Sequence, residues 1–263
     1  MSKSLVEYGI DGRVAIVTGA GTGVGRATAI ELAKLGAKVA IVGRRLEKIT
    51  EVEKEIKEFS EDVIAFSCDV ASEDGVNDVV KKVMEKFGRI DILVNNAGVD
   101  AISPPGQTGA DLLMTLTLEQ YYRIINTNLV GHFIFMRACV PYMQKQKYGR
   151  IVNVSSVTGF SGSLGTAPYV ASKAGNMVQT KAFARAFGPD NITVNCVAPG
   201  MIDTPMHEDM PREEFDMVAA RVPLRKVAQG VDIAREIIML CREVMFITGE
   251  TIVPDGGGTM FRG

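Results

Sequence analysis

Arg13-Val14-Ala15-Ile16-Val17-Thr18, then Gly19-Ala20-Gly21-Thr22-Gly23-Val24-Gly25, then Arg26 to Leu35: this stretch decides the fold. The first six residues are a short apolar run of the kind that forms a buried strand. The glycines interrupt it, and apolar or small residues then recur at helical spacing up to Leu35. Strand, glycine turn and helix in that order are the context in which a dinucleotide is held. Glycine lets the backbone turn sharply and approach a pyrophosphate, which is met by the free N–H groups and positive dipole end of the helix. The spacing is G-x-x-x-G-x-G, so the commoner G-x-G-x-x-G fingerprint is not met.

Outward from this turn, strand and helix alternate along the chain. The pattern predicts strands at 13–18, 38–43, 62–67, 90–95, 149–155, 191–197 and 250–254. It predicts helices at 23–35, 45–59, 72–87, 117–146, 168–187 and 230–241. Such alternation with right-handed crossovers gives an α/β fold, a Rossmann-type doubly wound parallel sheet of about seven strands. The 263 residues exceed the usual ~150 per domain, but α/β folds reach this length as one unit. No repeat, low-complexity tract or linker marks a second domain, so residues 1–263 are read as a single NAD(P)-binding domain. The charged run from Glu51 to Glu58 is a solvated helix face.

The second strand bears on the cofactor. Lys38-Val39-Ala40-Ile41-Val42-Gly43 ends where an NAD site places an acidic residue on the ribose 2′-hydroxyl, about 20 residues beyond the glycine loop. Here Gly43 is followed by Arg44 and Arg45, with no carboxylate. Arginine is permanently charged and makes paired hydrogen bonds to phosphate, so NADP(H) is the expected cofactor. Thr22 in the loop is not basic, so the preference rests on Arg44, with Arg45 second.

A third stretch carries chemistry. In Pro168-Tyr169-Val170-Ala171-Ser172-Lys173 the two ionisable side chains stand at i and i+4, on one helix face. A tyrosine alone has a pKa near ~10, and an adjacent ammonium favours its phenolate. Ile151-Val152-Asn153-Val154-Ser155-Ser156 reads as a strand ending in serine, thirteen residues before the tyrosine. Together these groups form a proton-delivery device for a carbonyl or alcohol.

With these residues in view, the chain resembles the short-chain dehydrogenase/reductase family over nearly its whole length. The matching stretches are Thr18 to Gly25, Asp69-Val70, Asn95-Asn96-Ala97-Gly98, Asn128-Leu129-Val130-Gly131, Ser156, Tyr169 to Lys173, and Pro199-Gly200 with Thr204. The resemblance implies cofactor contacts from Gly19, Thr22, Gly23, Val24 and Gly25, from Asp69 and Val70 at the adenine, and from Asn96 and Ala97. It further implies Ile202 and Thr204 at the carboxamide of the nicotinamide. By the same resemblance, Asn128 kinks its helix and holds a relay water, and Ser156 polarises the substrate oxygen. Tyr169 is the acid–base group, and Lys173 lowers its pKa and binds the nicotinamide ribose. The family spacing picks Ser156 over Ser155.

Composition excludes other classes. A net charge of −2 argues against nucleic acid as the main partner. Cys68, Cys139, Cys196 and Cys241 are scattered without a C-x-x-C pair, which suits reduced thiols in a cytoplasm. His132 and His207 are too few and too far apart for a His-based metal site, so no metal is expected. No stretch approaches the ~18 to 20 apolar residues of a membrane span, and Met1-Ser2-Lys3-Ser4 does not read as a signal peptide.

The expected function is interconversion of a ketone and a secondary alcohol on a free small molecule, a steroid or other cyclic ketone among the options. A 3-oxoacyl-(acyl-carrier-protein) reductase is the alternative. In those relatives two basic residues flank the active-site mouth and grip the acidic carrier; the matching positions are Lys147 and Asp190, one of the wrong sign. A non-catalytic cofactor sensor is the reading from another class, disfavoured because Asn128, Ser156, Tyr169 and Lys173 are all present. The resemblance also implies a homotetramer, or else a homodimer, through helices 117–146 and 168–187, which carry Phe133, Phe135, Met136, Met177, Phe183 and Phe187. Segment 201–223, with Met206, Met210, Met217 and Phe215, is expected to cover the substrate, and 99–117 is longer than the family usually has.

Overall fold

The structure, a computed structural model, describes residues 8–100, 109–162, 167–207 and 210–260. Residues 101–108 of the long segment 99–117 thus lie outside the described residues. Elements follow in the order β1 (Val14–Thr18), α1 (Gly23–Lys34), β2 (Lys38–Gly43), α2 (Leu46–Lys57), β3 (Val63–Ser67), α3 (Glu73–Phe87) and β4 (Ile92–Asn95). Next come α4 (Gly109–Thr115), α5 (Leu118–Ile125), α6 (Gly131–Gln146), β5 (Gly149–Val154), α7 (Thr158–Ser161), α8 (Ala167–Phe187) and β6 (Ile192–Val197). The chain closes with β7 (Ile202–Asp203), α9 (Arg212–Arg221), β8 (Ala228–Gln229), α10 (Gly230–Met239) and β9 (Thr251–Ile252).

Seven strands form one parallel sheet in the order β3-β2-β1-β4-β5-β6-β9, a doubly wound α/β fold. Alternation along each strand divides the core in two. On β1, Ala15 and Val17 join the cluster under α1 and α10, while Val14 and Ile16 join the one under α3 and α6. Both sets are fully buried, and each such valine or isoleucine side chain contributes about 1.5–3 kcal/mol. The order of the strands reverses at β1, where β2 lies on one side and β4 on the other. The loops leaving the carboxyl ends of β1 and β4 diverge there and open the crevice in which such sheets bind ligands.

The seven predicted strands and six predicted helices are all present, with differences that have local causes. β4 begins at Ile92 because the Asp91 carboxylate is taken by the Val14 N–H (2.9 Å) and the Arg89 and Arg13 guanidinium groups. β9 stops at Ile252, just before Pro254, which has no N–H to give a ladder. The predicted helix 117–146 is two helices joined by a π turn over Asn126–Val130. The two-residue pair β7–β8 and helices α4, α7 and α9 add to the prediction, being too short or too polar to show a period.

The apolar residues assigned to subunit contacts divide. Phe135, Met136 and Met177 are buried within the chain, so they pack on the sheet and offer nothing to a partner. Phe133, Phe183 and Phe187 instead form a row, Phe133 edge-on to Phe183 (centroids 6.0 Å apart) and Phe183 tilted against Phe187 (5.6 Å), and Phe133 and Val178 are exposed. No described helix is long and apolar enough to cross a membrane.

Candidate active site

At the crevice, Gly19 and Gly23 have φ of +64° and +56°, a region where only glycine is unstrained. Gly25 has no room for a side chain: a Cβ there would lie 2.4 Å from both the Gly19 carbonyl oxygen and Asn96 Nδ2. Asn96 is the clamp. Its Nδ2 donates to the Thr18 and Gly19 carbonyls (3.0 and 3.2 Å), and the Asn96 and Ala97 N–H groups donate to Thr18 Oγ1 (3.0 and 3.1 Å). The loops after β1 and β4 are thereby tied into one wall.

The donor set fits a pyrophosphate. α1 starts at Gly23 with Thr22 as its cap residue, and the Thr22 side chain makes no capping bond to the first N–H groups. Val24 is buried beneath the turn. Thr204 stands over it, 3.4 Å from where a Gly23 Cβ would sit, with Ile202 two residues before on β7. Arg44 and Arg45 are exposed at the carboxyl end of β2, and the Arg44 carbonyl accepts from Ser67 Oγ at 3.2 Å. Lys48, which the sequence did not single out, stands beside the loop, its Cβ 3.0 Å from where a Gly21 Cβ would be. Asp69 is exposed and its Oδ1 accepts the Ala71 N–H (3.1 Å). The buried Val70 side chain packs on Gly131 of α6.

One step along the crevice, β5 delivers two serines to different tasks. Ser155 Oγ donates to the Lys173 carbonyl (2.7 Å) and is buried. Ser156 Oγ is half-buried, accepts from Thr158 Oγ1 (3.0 Å) and shares a hydrogen bond with the Tyr169 hydroxyl. Lys173, one turn after Tyr169 on α8, is buried; its Nζ donates to the Val154 carbonyl (2.9 Å) and lies 5.4 Å from the Tyr169 ring centre. The strand thus orients lysine and serine together.

Asn128 sits fully buried in the π turn, a distortion found often at functional sites. Its side-chain amide binds Val99 twice, accepting from the N–H and donating to the carbonyl, each at 2.8 Å. Nδ2 also donates to Ser172 Oγ (3.2 Å), which donates to the Tyr169 carbonyl (2.6 Å). The Asn128 carbonyl accepts from Asn176 Nδ2 at 2.9 Å. Ser172 and Asn176 are site residues that sequence reasoning missed. Asn176 stands three residues after Lys173 and seven after Tyr169, on the same helix face, and that spacing could have found it.

Electrostatics correct one expectation. Burial pushes the Tyr169 phenol up to about 12, the charge of Asp100 adds to this, and the Ser156 hydrogen bond opposes it. Burial also lowers the Lys173 ammonium to about 8, against Cys196 and Asp100, which raise it. The expected depression of Tyr169 by Lys173 is absent. The pair is instead a protonated phenol beside a weakened ammonium, because both groups are desolvated.

Two further expectations change. Lys147 and Asp190 do not flank this site: they lie at the amino ends of β5 and β6, while Ser156 follows the carboxyl end of β5. There they pair with each other, and Asp190 also accepts Gln144 Nε2 at 2.7 Å. In segment 201–223, Phe215 is buried but Met206 and Met217 are exposed, so these two methionines do not line an apolar wall within the chain. Behind α9 lies a cavity of about 370 Å³ lined by Met201, Val218, Val222, Leu224 and Ile233, away from Ser156 and Tyr169. Among the described residues no cluster of His, Cys, Asp or Glu could hold a metal, and all four cysteines are free and buried.

A doubly wound sheet whose crevice presents an uncapped glycine-loop helix is a dinucleotide-binding fold. The family model described as short chain dehydrogenase matches residues 13–214, and the chain belongs to that family. Among its relatives is the 3-oxoacyl-(acyl-carrier-protein) reductase FabG of Thermotoga maritima, 39% identical over 249 residues, covering 94% of this chain and 98% of that protein. The FabG of Staphylococcus aureus strain N315 is 39% identical over 246 residues, covering 92% and 96%. A (2S)-[(R)-hydroxy(phenyl)methyl]succinyl-CoA dehydrogenase subunit, BbsD, of Thauera aromatica is 36% identical over 256 residues, covering 97% and 100%.

Proposed function

We propose that this single-domain chain interconverts a ketone and a secondary alcohol on a small acyl substrate, with NADP(H) as cofactor. The observation that carries the reading is the Ser156–Tyr169 hydrogen bond with Lys173 Nζ behind the ring, held by the Val154 carbonyl. Bound NADP(H) supplies or takes the hydride at the carbonyl carbon. Ser156 donates to the substrate oxygen, and Tyr169, held protonated by burial, gives its proton to that oxygen as the alcohol forms. Lys173 binds the ribose and returns a proton to the phenolate. Asn128 fixes Val99 and the turn of α8 that carries Tyr169. Gly19, Thr22, Gly23, Val24, Gly25, Asn96 and Ala97 hold the pyrophosphate side, Asp69 and Val70 the adenine, and Ile202 and Thr204 the carboxamide. Segment 201–223 covers the substrate.

The relatives support an acyl substrate: their names carry an acyl group on a carrier protein or on CoA. A steroid has no such support. The identity to FabG proteins favours the carrier-linked reading as the second option. Two-fold assembly into a homotetramer through the exposed Phe133 and Val178 faces of α6 and α8 belongs to the same reading. A panel of 3-oxoacyl-CoA esters, the same acyl groups on carrier protein, and cyclic ketones, followed by NADPH absorbance, tests it. Turnover of the CoA esters is expected; oxidation of NADPH by none of the panel overturns the proposal.

NADP(H) is favoured by Arg44, exposed at the carboxyl end of β2 with no carboxylate beside it. A charge-assisted hydrogen bond contributes about 1.5–3 kcal/mol, so Arg44→Ala is expected to weaken NADPH binding roughly ten- to a hundredfold. NADH, lacking the 2′-phosphate, should be almost unaffected, and calorimetric titration of both cofactors checks the difference. Gly43→Asp is a poor route to NADH preference, since its Cβ would lie 2.8 Å from Ile49 Cγ2.

The pH dependence follows from Lys173. Ketone reduction needs Tyr169 and Lys173 protonated; the phenol stays so up to about 12, the ammonium only to about 8. The kcat/KM for NADPH reports groups of the free enzyme. It is expected to be flat below pH 8 and to fall above it, well before the tyrosine ionises. A profile still flat at pH 10 would contradict the assignment.

A further inference from the structure

His132 is buried in the first turn of α6, directly after the π turn, and takes no part in the proton transfer described above. Both of its polar ends reach the loop after β4. Its backbone carbonyl accepts from Asn95 Nδ2 at 3.3 Å, and its ring Nε2 lies 3.1 Å from the Ala97 carbonyl oxygen. A carbonyl oxygen only accepts, so Nε2 carries the proton and donates it. Burial, and after it the charge of Lys173, holds the ring pKa down to about 3, against the hydrogen bonds to Ala97 and Asn176. The ring is therefore a neutral donor.

That bond fixes a peptide unit. The Ala97 carbonyl and the Gly98 N–H belong to one planar trans peptide and point in opposite directions. With the oxygen turned toward α6, the N–H is turned away from it, and among the described residues none accepts it. Gly98 also lies against the proton-transfer pair, its Cβ position 3.4 Å from Lys173 Nζ and 3.6 Å from Asn128 Oδ1. We infer that His132 is a positioning residue for the cofactor: through the Ala97 carbonyl it aims the Gly98 N–H at the ribose of the nicotinamide half, beside Lys173. This rests on the proposed NADP(H) cofactor and deepens it. Without the ring donor the peptide is free to turn, because glycine offers little resistance to a change of φ. The sequence hid the link, since Ala97 and His132 are 35 residues apart and meet only through the fold.

The test titrates NADPH and 2′,5′-ADP, which lacks the nicotinamide half, into the native protein, His132→Gln and His132→Asn by calorimetry. The glutamine amide carries a donor about as far out as Nε2, whereas the asparagine amide falls short of Ala97. One neutral hydrogen bond corresponds to about two- to tenfold in affinity. His132→Asn is therefore expected to weaken NADPH by that factor and leave 2′,5′-ADP unchanged, while His132→Gln binds both as the native protein does. NADH against 5′-AMP should show the same split. A second measurement needs no variant of His132: the amide resonance of isotope-labelled Gly98, identified by its loss in Gly98→Ala, should shift with NADPH and stay put with 2′,5′-ADP. It decides the matter if His132→Asn does not fold. Equal NADPH affinity in the two His132 variants, a common loss for NADPH and 2′,5′-ADP, or a Gly98 resonance indifferent to NADPH overturns the role of His132 alone. A native protein that binds neither NADPH nor NADH overturns the cofactor reading and this role with it.

Discussion

Tyr169→Phe is expected to lower kcat by about 10²- to 10⁴-fold, the loss that accompanies removal of a general acid–base group. The change deletes one oxygen. The ring stays half-buried on α8, and the Lys173–Val154 bond, the Asn128 clamp and the glycine loop are untouched. What disappears is the hydroxyl bonded to Ser156 and the proton it would deliver. Stability should drop by no more than the ~0.5–1.5 kcal/mol of a single hydrogen bond, and NADPH affinity should hold. Steady-state rates, urea unfolding and cofactor titration on one preparation check all three. Near-normal turnover would remove Tyr169 from the chemistry; loss of folding would make it structural instead.

Lys173→Met comes second in size and has a different signature. Turnover and NADPH affinity should fall together, the first at least about a hundredfold and the second roughly ten- to a hundredfold, because one charge-assisted contact is lost at the ribose. Stability should move the other way or hardly at all. Burial depresses this ammonium to about 8, and each unit below its ordinary value represents about 1.4 kcal/mol of unfavourable burial that methionine would not suffer. Against that gain stands the Val154 carbonyl, which loses its Lys173 donor. A variant with unaltered NADPH affinity would show that Lys173 serves only the tyrosine.

How far these sites could be read from the chain depends on the range of the forces involved. Val14 to Thr18 and Lys38 to Gly43 announce themselves, since strands buried on both faces need continuous apolar runs. The glycines were legible for the same local reason: φ of +64° at Gly19 and a blocked Cβ at Gly25 leave no other choice. The π turn at Asn126–Val130 was hidden inside a continuous helical pattern, because it comes from tertiary bonds to Val99, Ser172 and Asn176. The ionisation of Tyr169 was misjudged because the i to i+4 spacing shows the lysine but not the desolvation that outweighs it. The Lys147–Asp190 pair failed similarly, since strand polarity and not sequence spacing puts it at the far end of the sheet.

The reaction itself is tested most directly by following the hydrogen. A 3-oxoacyl-CoA ester is incubated with the protein and NADPH carrying two deuterium atoms at C4 of the nicotinamide, and the product is read by mass spectrometry. One deuterium on the new carbinol carbon, with the hydroxyl hydrogen exchanging with water, is the expected result, and Tyr169→Phe should slow its appearance without moving the label. Oxidation of the labelled cofactor with no deuterium in the product, or no alcohol at all, would contradict hydride transfer to a ketone at this site.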